Sequence, residues 1–130
     1  MASIHPYEER YRGRMDTFQK DLWAHLELIP FLQIVTGNAV LAYLLELSCQ
    51  SQNAFNVELG RNALLALPRT WLLEHIEVAA EPLIQLNNNW EFRRLLELYS
   101  LLDTTLARQL ALRGITDPDA EIREASEIFL

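Results

Sequence analysis

The side chains able to do chemistry are three histidines, one cysteine and a row of glutamates, and their spacing decides how much chemistry is on offer. His5, His25 and His75 stand far apart, without the His-x-x-x-His or Cys-x-x-Cys companions of a metal site. Cys49 falls at the carboxy-terminal end of an expected helix. That is the wrong end of the dipole for lowering a thiol pKa, so it is read as an inert packing residue. Glu74, Glu77 and Glu81 recur at helical neighbour spacing. Paired carboxylates can run general acid chemistry when one of them is buried, and nothing in the sequence requires that here. No glycine-rich phosphate loop, nucleophile elbow or zinc-protease motif occurs. The expectation is a protein that is not an enzyme, with no metal and no cofactor.

The remaining polar signal is one of recognition. Ten of the eleven basic residues are arginine, the better side chain for planar bidentate contacts and for stacking on aromatic rings. Trp90 stands beside Arg93 and Arg94 at an expected helix start, and an exposed tryptophan with arginine is a frequent interface anchor. Arg61, Arg94 and Glu97 are expected along one open helical face. With Trp90 and the apolar pair Phe129 and Leu130, they make up the candidate partner-binding residues.

Eighteen acidic residues against eleven basic ones give a formal charge of -7 in 130 residues. That opposes general affinity for phosphate backbones, so nucleic acid is not expected as a partner. The longest nearly uncharged run, residues 28 to 45, is broken by Pro30, Gln33, Thr36, Gly37 and Asn38. No signal peptide or membrane span is expected, and an unpaired cysteine fits a reducing, cytoplasmic setting.

The elements that must position these residues are helical. Leucine occurs 25 times and alanine 13 times against only 4 valines, a composition of helix formers rather than strand formers. His5-Pro6 opens a short first helix that Gly13 ends. Asp16 with Gln19 reads as a capping box for a helix over 17 to 29. Gly37-Asn38 is a break before a helix over 39 to 47, followed by a turn at 49 to 53. Further helices are expected over 54 to 67, ended by Pro68, and over 71 to 86, capped by Thr70 and kinked or split by Pro82. Asparagines 87 to 89 form a turn and cap before a helix over 90 to 102. Asp103 and Thr104 are candidate caps for 105 to 113. Gly114 is expected in the left-handed conformation that ends a helix. The last helix opens at Asp117 with Pro118 in its first turn.

An internal repeat runs through these elements. WEFRRLLELYSLL (90 to 102) aligns with AEIREASEIFL (120 to 130), with Phe92-Arg93 lying 30 residues before Ile122-Arg123. VELGRNALLAL (57 to 67) places Arg61 in a looser version of the same register. The segment ALRGITDPDAEIREA (111 to 125) resembles the HEAT-repeat consensus of bacterial α-solenoids. The resemblance is best over 82 to 130 and weak over 38 to 67. Asn88 and Asn89 depart from it where an Asp-Pro pair would stand, as does Gly60 before Arg61. It implies a short right-handed α-α superhelix of about six to eight helices, with helix pairs over 38 to 130 and non-repeat helices over 1 to 37, in a single domain. It also implies a structural motif of Arg93, Asp117, Pro118 and Arg123, in which each arginine reaches the turn acid of a neighbouring unit.

The expected function is a non-catalytic protein-binding module or adaptor. The sequence stops at Ile128-Phe129-Leu130 without a polar terminal helix, so a homodimer or another protein is expected to cover that face. The rival readings are a small-molecule-binding or enzyme accessory protein, lyase- or chaperone-like, with a cavity lined by Trp71, His75 and Trp90, and a compact helical bundle in which the repeat match is accidental.

Overall fold

The computed structural model describes residues 3 to 86 and 88 to 130. Every element in them is helical: α1 (Pro6–Phe18), two short 3-10 helices (Leu22–Ala24 and Leu26–Phe31), α2 (Ile34–Ser48), α3 (Ala54–Ala66), α4 (Arg69–Gln85), α5 (Asn89–Leu102), α6 (Thr104–Gly114) and α7 (Ala120–Ile128). No described helix is long and apolar enough to cross a membrane.

Short polar side chains set the starts of α3, α5, α6 and α7 by accepting the orphan amides of the first turn. Asn53 accepts from the Asn56 amide, and Asn88 from those of Trp90 and Glu91. Asp103 does the same for Thr105 and Leu106. His5 Nδ1 takes the Tyr7 amide at 3.2 Å, with Pro6 in the first turn as expected. Asn87, the first of the asparagine triplet, lies outside the described residues.

Other boundaries differ from the sequence reading. The α7 cap is Asp119 and not Asp117, because Asp117 instead accepts the Asp119 amide and Pro118 stays in the turn. Helix α1 passes through Gly13 to Phe18 and ends in a turn where Asp16 accepts the amide of Asp21, the one described non-glycine residue with positive φ. The expected helix over 17 to 29 is therefore two 3-10 helices. Helix α2 runs through Gly37, and α4 starts at Arg69 without a Thr70 cap and continues through Pro82. Gly114 closes α6 with negative φ. These glycines were read as stops because glycine is a poor helix former, yet in a packed helix the missing Cβ can matter more than backbone freedom. A Cβ on Gly60 would lie 2.7 Å from the Ser48 amide nitrogen and 2.8 Å from the Leu44 carbonyl, so Gly60 is what lets α3 lie against α2.

Helix α2 is the hub. It touches α1, α3, α4, α5 and the second 3-10 helix, and its Leu41, Leu44 and Leu45 are fully buried. Leu64 of α3, Leu72 and Ile76 of α4, and Leu95, Leu96 and Leu98 of α5 join them in one core. Toward the carboxy terminus, α5 packs on α6 and both pack on α7, where Ile122 and Ala125 face inward.

Candidate functional site

Three of the candidate binding residues meet although 36 residues separate the outer two in sequence. Arg61 of α3 donates to Glu97 Oε2 of α5 at 2.6 Å, and Arg94 donates to the same oxygen at 3.4 Å. The side chains are only 22 to 35% exposed, so the charges are partly desolvated. The Nε atoms of both arginines and Oε2 of neighbouring Glu91 are buried without a hydrogen-bond partner. Burial, and then the charge of Glu46, push the Glu91 carboxyl above the usual range. This cluster is not the open row of charges expected from the sequence. It is a half-buried pin between α3 and α5, whose own members satisfy much of its charge.

Glu97 also faces a cleft that it shares with Arg93, Glu124, Ala125, Ile128 and Phe129. On the other side of Phe129 lies a second cleft, bounded by Arg108, Leu112 and Leu130 among others. The end of α7 is therefore an apolar ridge between two clefts. Ile128 is 78% exposed, Leu130 half exposed and Phe129 partly buried. Arg108 borders one flank of the ridge, and Arg93, Glu97 and Glu124 border the other. Trp90 stands apart from the ion cluster, half exposed, with the Arg93 guanidinium 5.4 Å from its ring centre.

The repeat motif forms different bonds from those implied. Arg123 Nη1 donates to the carbonyls of Asp117 and Pro118 in its own turn, at 2.7 and 2.9 Å, and so braces the turn rather than reaching a neighbouring acid. Arg93 makes no ion pair among the described residues and lies over Trp90 instead.

The other nominated chemistry is dispersed. His75 Nδ1 donates to the Trp71 carbonyl at 2.7 Å, and the two rings stack, while Trp90 makes no ring contact with either among the described residues. His25 is exposed in the 3-10 region. Burial pushes the Cys49 thiol up to about 12, away from nucleophilic character. Among the described residues no group of three His, Cys, Asp or Glu side chains could hold a metal ion.

Two features escaped the sequence reading. Phe31, Ile34 and Val35, at the junction of the second 3-10 helix with α2, are 85, 75 and 81% exposed. Their segment, LIPFLQIV, was visible as an uncharged run, but which of its side chains face outward depends on how the 3-10 helix packs. The second feature is a small cleft between α4, α5 and α6, bounded by Glu77, Glu81, Tyr99 and Arg113. Glu77 and Glu81 were noted only for their helical spacing, and Tyr99 and Arg113 come from distant helices.

Compared with models of known protein families, with curated proteins and with solved structures, the chain matches none. What stands is an all-helical protein with no family or repeat identified.

Proposed function

We propose that this chain is a non-catalytic protein-interaction module that self-associates through the end of α7. The observation that carries this reading is the Ile128–Leu130 ridge between two clefts. Large apolar side chains grouped on a surface cost free energy in water, and such groups mark interaction sites in soluble proteins. An isologous contact seats the ridge of each copy in a cleft of the other, and Arg108 and Glu124 provide opposite charges to face each other across it. The packing of α7 on both α5 and α6 supports the finer fold reading, a short HEAT-like α-α superhelix whose last helix offers its outer face. In this account Arg61, Arg94 and Glu97 hold the adjoining helices in place, while Phe129 and Leu130 make the contact. Trp90 with Arg93 forms the rim, and the exposed Phe31, Ile34 and Val35 leave a second surface for another protein.

Light scattering after size exclusion, over a range of protein concentrations, tests the reading. The wild type is expected to reach the mass of a dimer, and the Ile128→Asp variant to stay monomeric with an unchanged helical spectrum. Phe31→Ser with Val35→Ser is expected to leave the dimer intact. A wild type that stays monomeric throughout, or a dimer dissolved only by the second pair, would overturn the assignment to α7.

A further inference from the structure

The small cleft between α4, α5 and α6 is distinct from the ridge itself, and Gln109 lies on the border between it and the cleft beside Phe129. The volume of the small cleft is about 80 Å³. That is about half the volume of a roughly 150 Å³ closed cavity that takes up benzene, so a slender group of a few non-hydrogen atoms suits it better than an aromatic ring. Ile84, Leu106 and Leu110 supply apolar wall, while Glu77, Gln109 and Tyr99 supply polar atoms.

Tyr99 is the decisive residue. It is only 3% exposed, and among the described residues no side chain hydrogen-bonds its hydroxyl. Its ring is packed in the core, while its hydroxyl is not among the fully buried atoms without a partner and so opens into the cleft, where a ligand can reach it. Burial raises the Tyr99 pKa most, followed by the negative charge of Glu77, which places that carboxylate's field on the hydroxyl. Glu81 is already occupied, since both of its oxygens accept from Arg113 at 2.9 Å. Glu77 makes no ion pair among the described residues. The cleft thus holds the exposed Glu77 carboxylate without an ion pair, the Tyr99 hydroxyl without a side-chain partner among the described residues, and the Gln109 amide beside apolar side chains.

We infer that this cleft binds a primary ammonium group on a slender aliphatic stem, with Glu77, the Tyr99 hydroxyl and the Gln109 carbonyl as its acceptors. An ammonium has three divergent donors and no planar fork, which suits separate single acceptors. A guanidinium would want the bidentate carboxylate that Arg113 already holds. The stem lies against Ile84, Leu106 and Leu110. The same chemistry is offered by a free alkylamine and by the end of a lysine side chain.

Methyl NMR of Ile84, Leu106 and Leu110 reads the site directly. The protein is titrated at constant ionic strength with propylammonium chloride, with the neutral isostere propanol, and with a capped glycine peptide carrying one lysine. Saturable shifts with the ammonium and not with propanol are expected. Glu77→Gln should weaken binding at least about tenfold, the loss of a charge-assisted hydrogen bond. Tyr99→Phe should weaken it several-fold while its methyl spectrum stays dispersed. Tighter binding of the peptide than of propylammonium assigns the site to lysine side chains, and the reverse order assigns it to free amines. Both orders support the inference. Absence of saturable shifts with either amine, an equal response to propanol, or affinities unchanged in both variants would overturn it. Because Gln109 also borders the cleft beside Phe129, the titrations are repeated on the Ile128→Asp variant, in which the same response to the ammonium is expected and its loss would overturn the inference.

Discussion

Gly114 of α6 and Ser126 of α7 approach so closely that a methyl group at position 114 would overlap the Ser126 hydroxyl oxygen. The same methyl would lie 2.9 Å from the Phe92 ring of α5. Ser126 is fully buried, and its hydroxyl is tied to the Ile122 carbonyl at 2.8 Å, so it has little room to yield. Position 114 is where three helices close on one another, and it fixes the platform from which the α7 ridge projects. Gly114→Ala should therefore destabilise by about 1 to 3 kcal/mol, the range for overpacking a filled core. A urea titration followed by circular dichroism checks this, and an unchanged midpoint would mean that α7 is less firmly seated.

Gly13 gives the opposite expectation. It lies inside α1, and a Cβ there would meet nothing within 4 Å. Alanine in an exposed helix interior is better than glycine by about 1 kcal/mol, so Gly13→Ala should raise the urea midpoint. If α1 truly stopped at Gly13, the substitution would give no such gain.

The Arg61–Glu97–Arg94 cluster should respond to the loss of its shared acceptor. Glu97→Gln leaves two guanidinium groups side by side with less charge to hold them. The expected cost is about 1 to 2 kcal/mol, between values typical of exposed and of buried pairs. Single and double substitutions at Arg61 and Glu97, measured as a double-mutant cycle, would reveal the coupling, and additive effects would show that the two side chains do not depend on each other.

Two carboxylates should shape the acid limb of stability in opposite directions. Hydrogen bonds from Arg113, and then from Gln85, hold Glu81 down to about 2, against an ordinary value of 4.5. A folded-state pKa below the unfolded one means stabilisation that is complete above about 4.5 and lost as pH falls toward about 2. Both side chains of this pair are more than a third exposed, so the effect is small and fades with salt. Glu91 has the reverse sign. Its raised pKa makes its ionisation cost stability, so Glu91→Gln should increase the melting temperature at neutral pH, whereas Glu81→Gln should flatten the acid limb. Melting temperatures across pH for the wild type and both variants check the two signs together.

The sequence carried the caps of α5 and α6, misplaced those at Asp16, Thr70 and Asp117, and read its glycines badly. Asn88 and Asp103 announce α5 and α6 because a cap is a local event, settled within three residues. Gly37, Gly60 and Gly114 owe their places to helices that arrive from elsewhere: Gly37 faces the Trp71 ring, and Gly60 the α2 backbone. No local rule separates such a glycine from a helix stop. Asp117 and Asp119 are both plausible caps by type, and the choice of Asp119 follows from the turn in which Asp117 accepts the Asp119 amide. For the candidate site, residue types pointed to Arg61, Arg94 and Glu97, but their mutual pairing was hidden because it spans α3 and α5. Tyr99 was missed for a similar reason. A tyrosine among leucines reads as core, and only its unpartnered hydroxyl beside Glu77 marks it out.

The central claim is that the end of α7 is a contact surface, and methyl chemical shifts followed against protein concentration test it most directly. With rising concentration, the signals of Ile128, Leu130 and Leu112 should move together along one binding curve, while those of Ile34 and Val35 stay fixed. Signals of Ile128 and Leu130 that stay unchanged over the whole range, or concentration-dependent shifts confined to Ile34 and Val35, would contradict it.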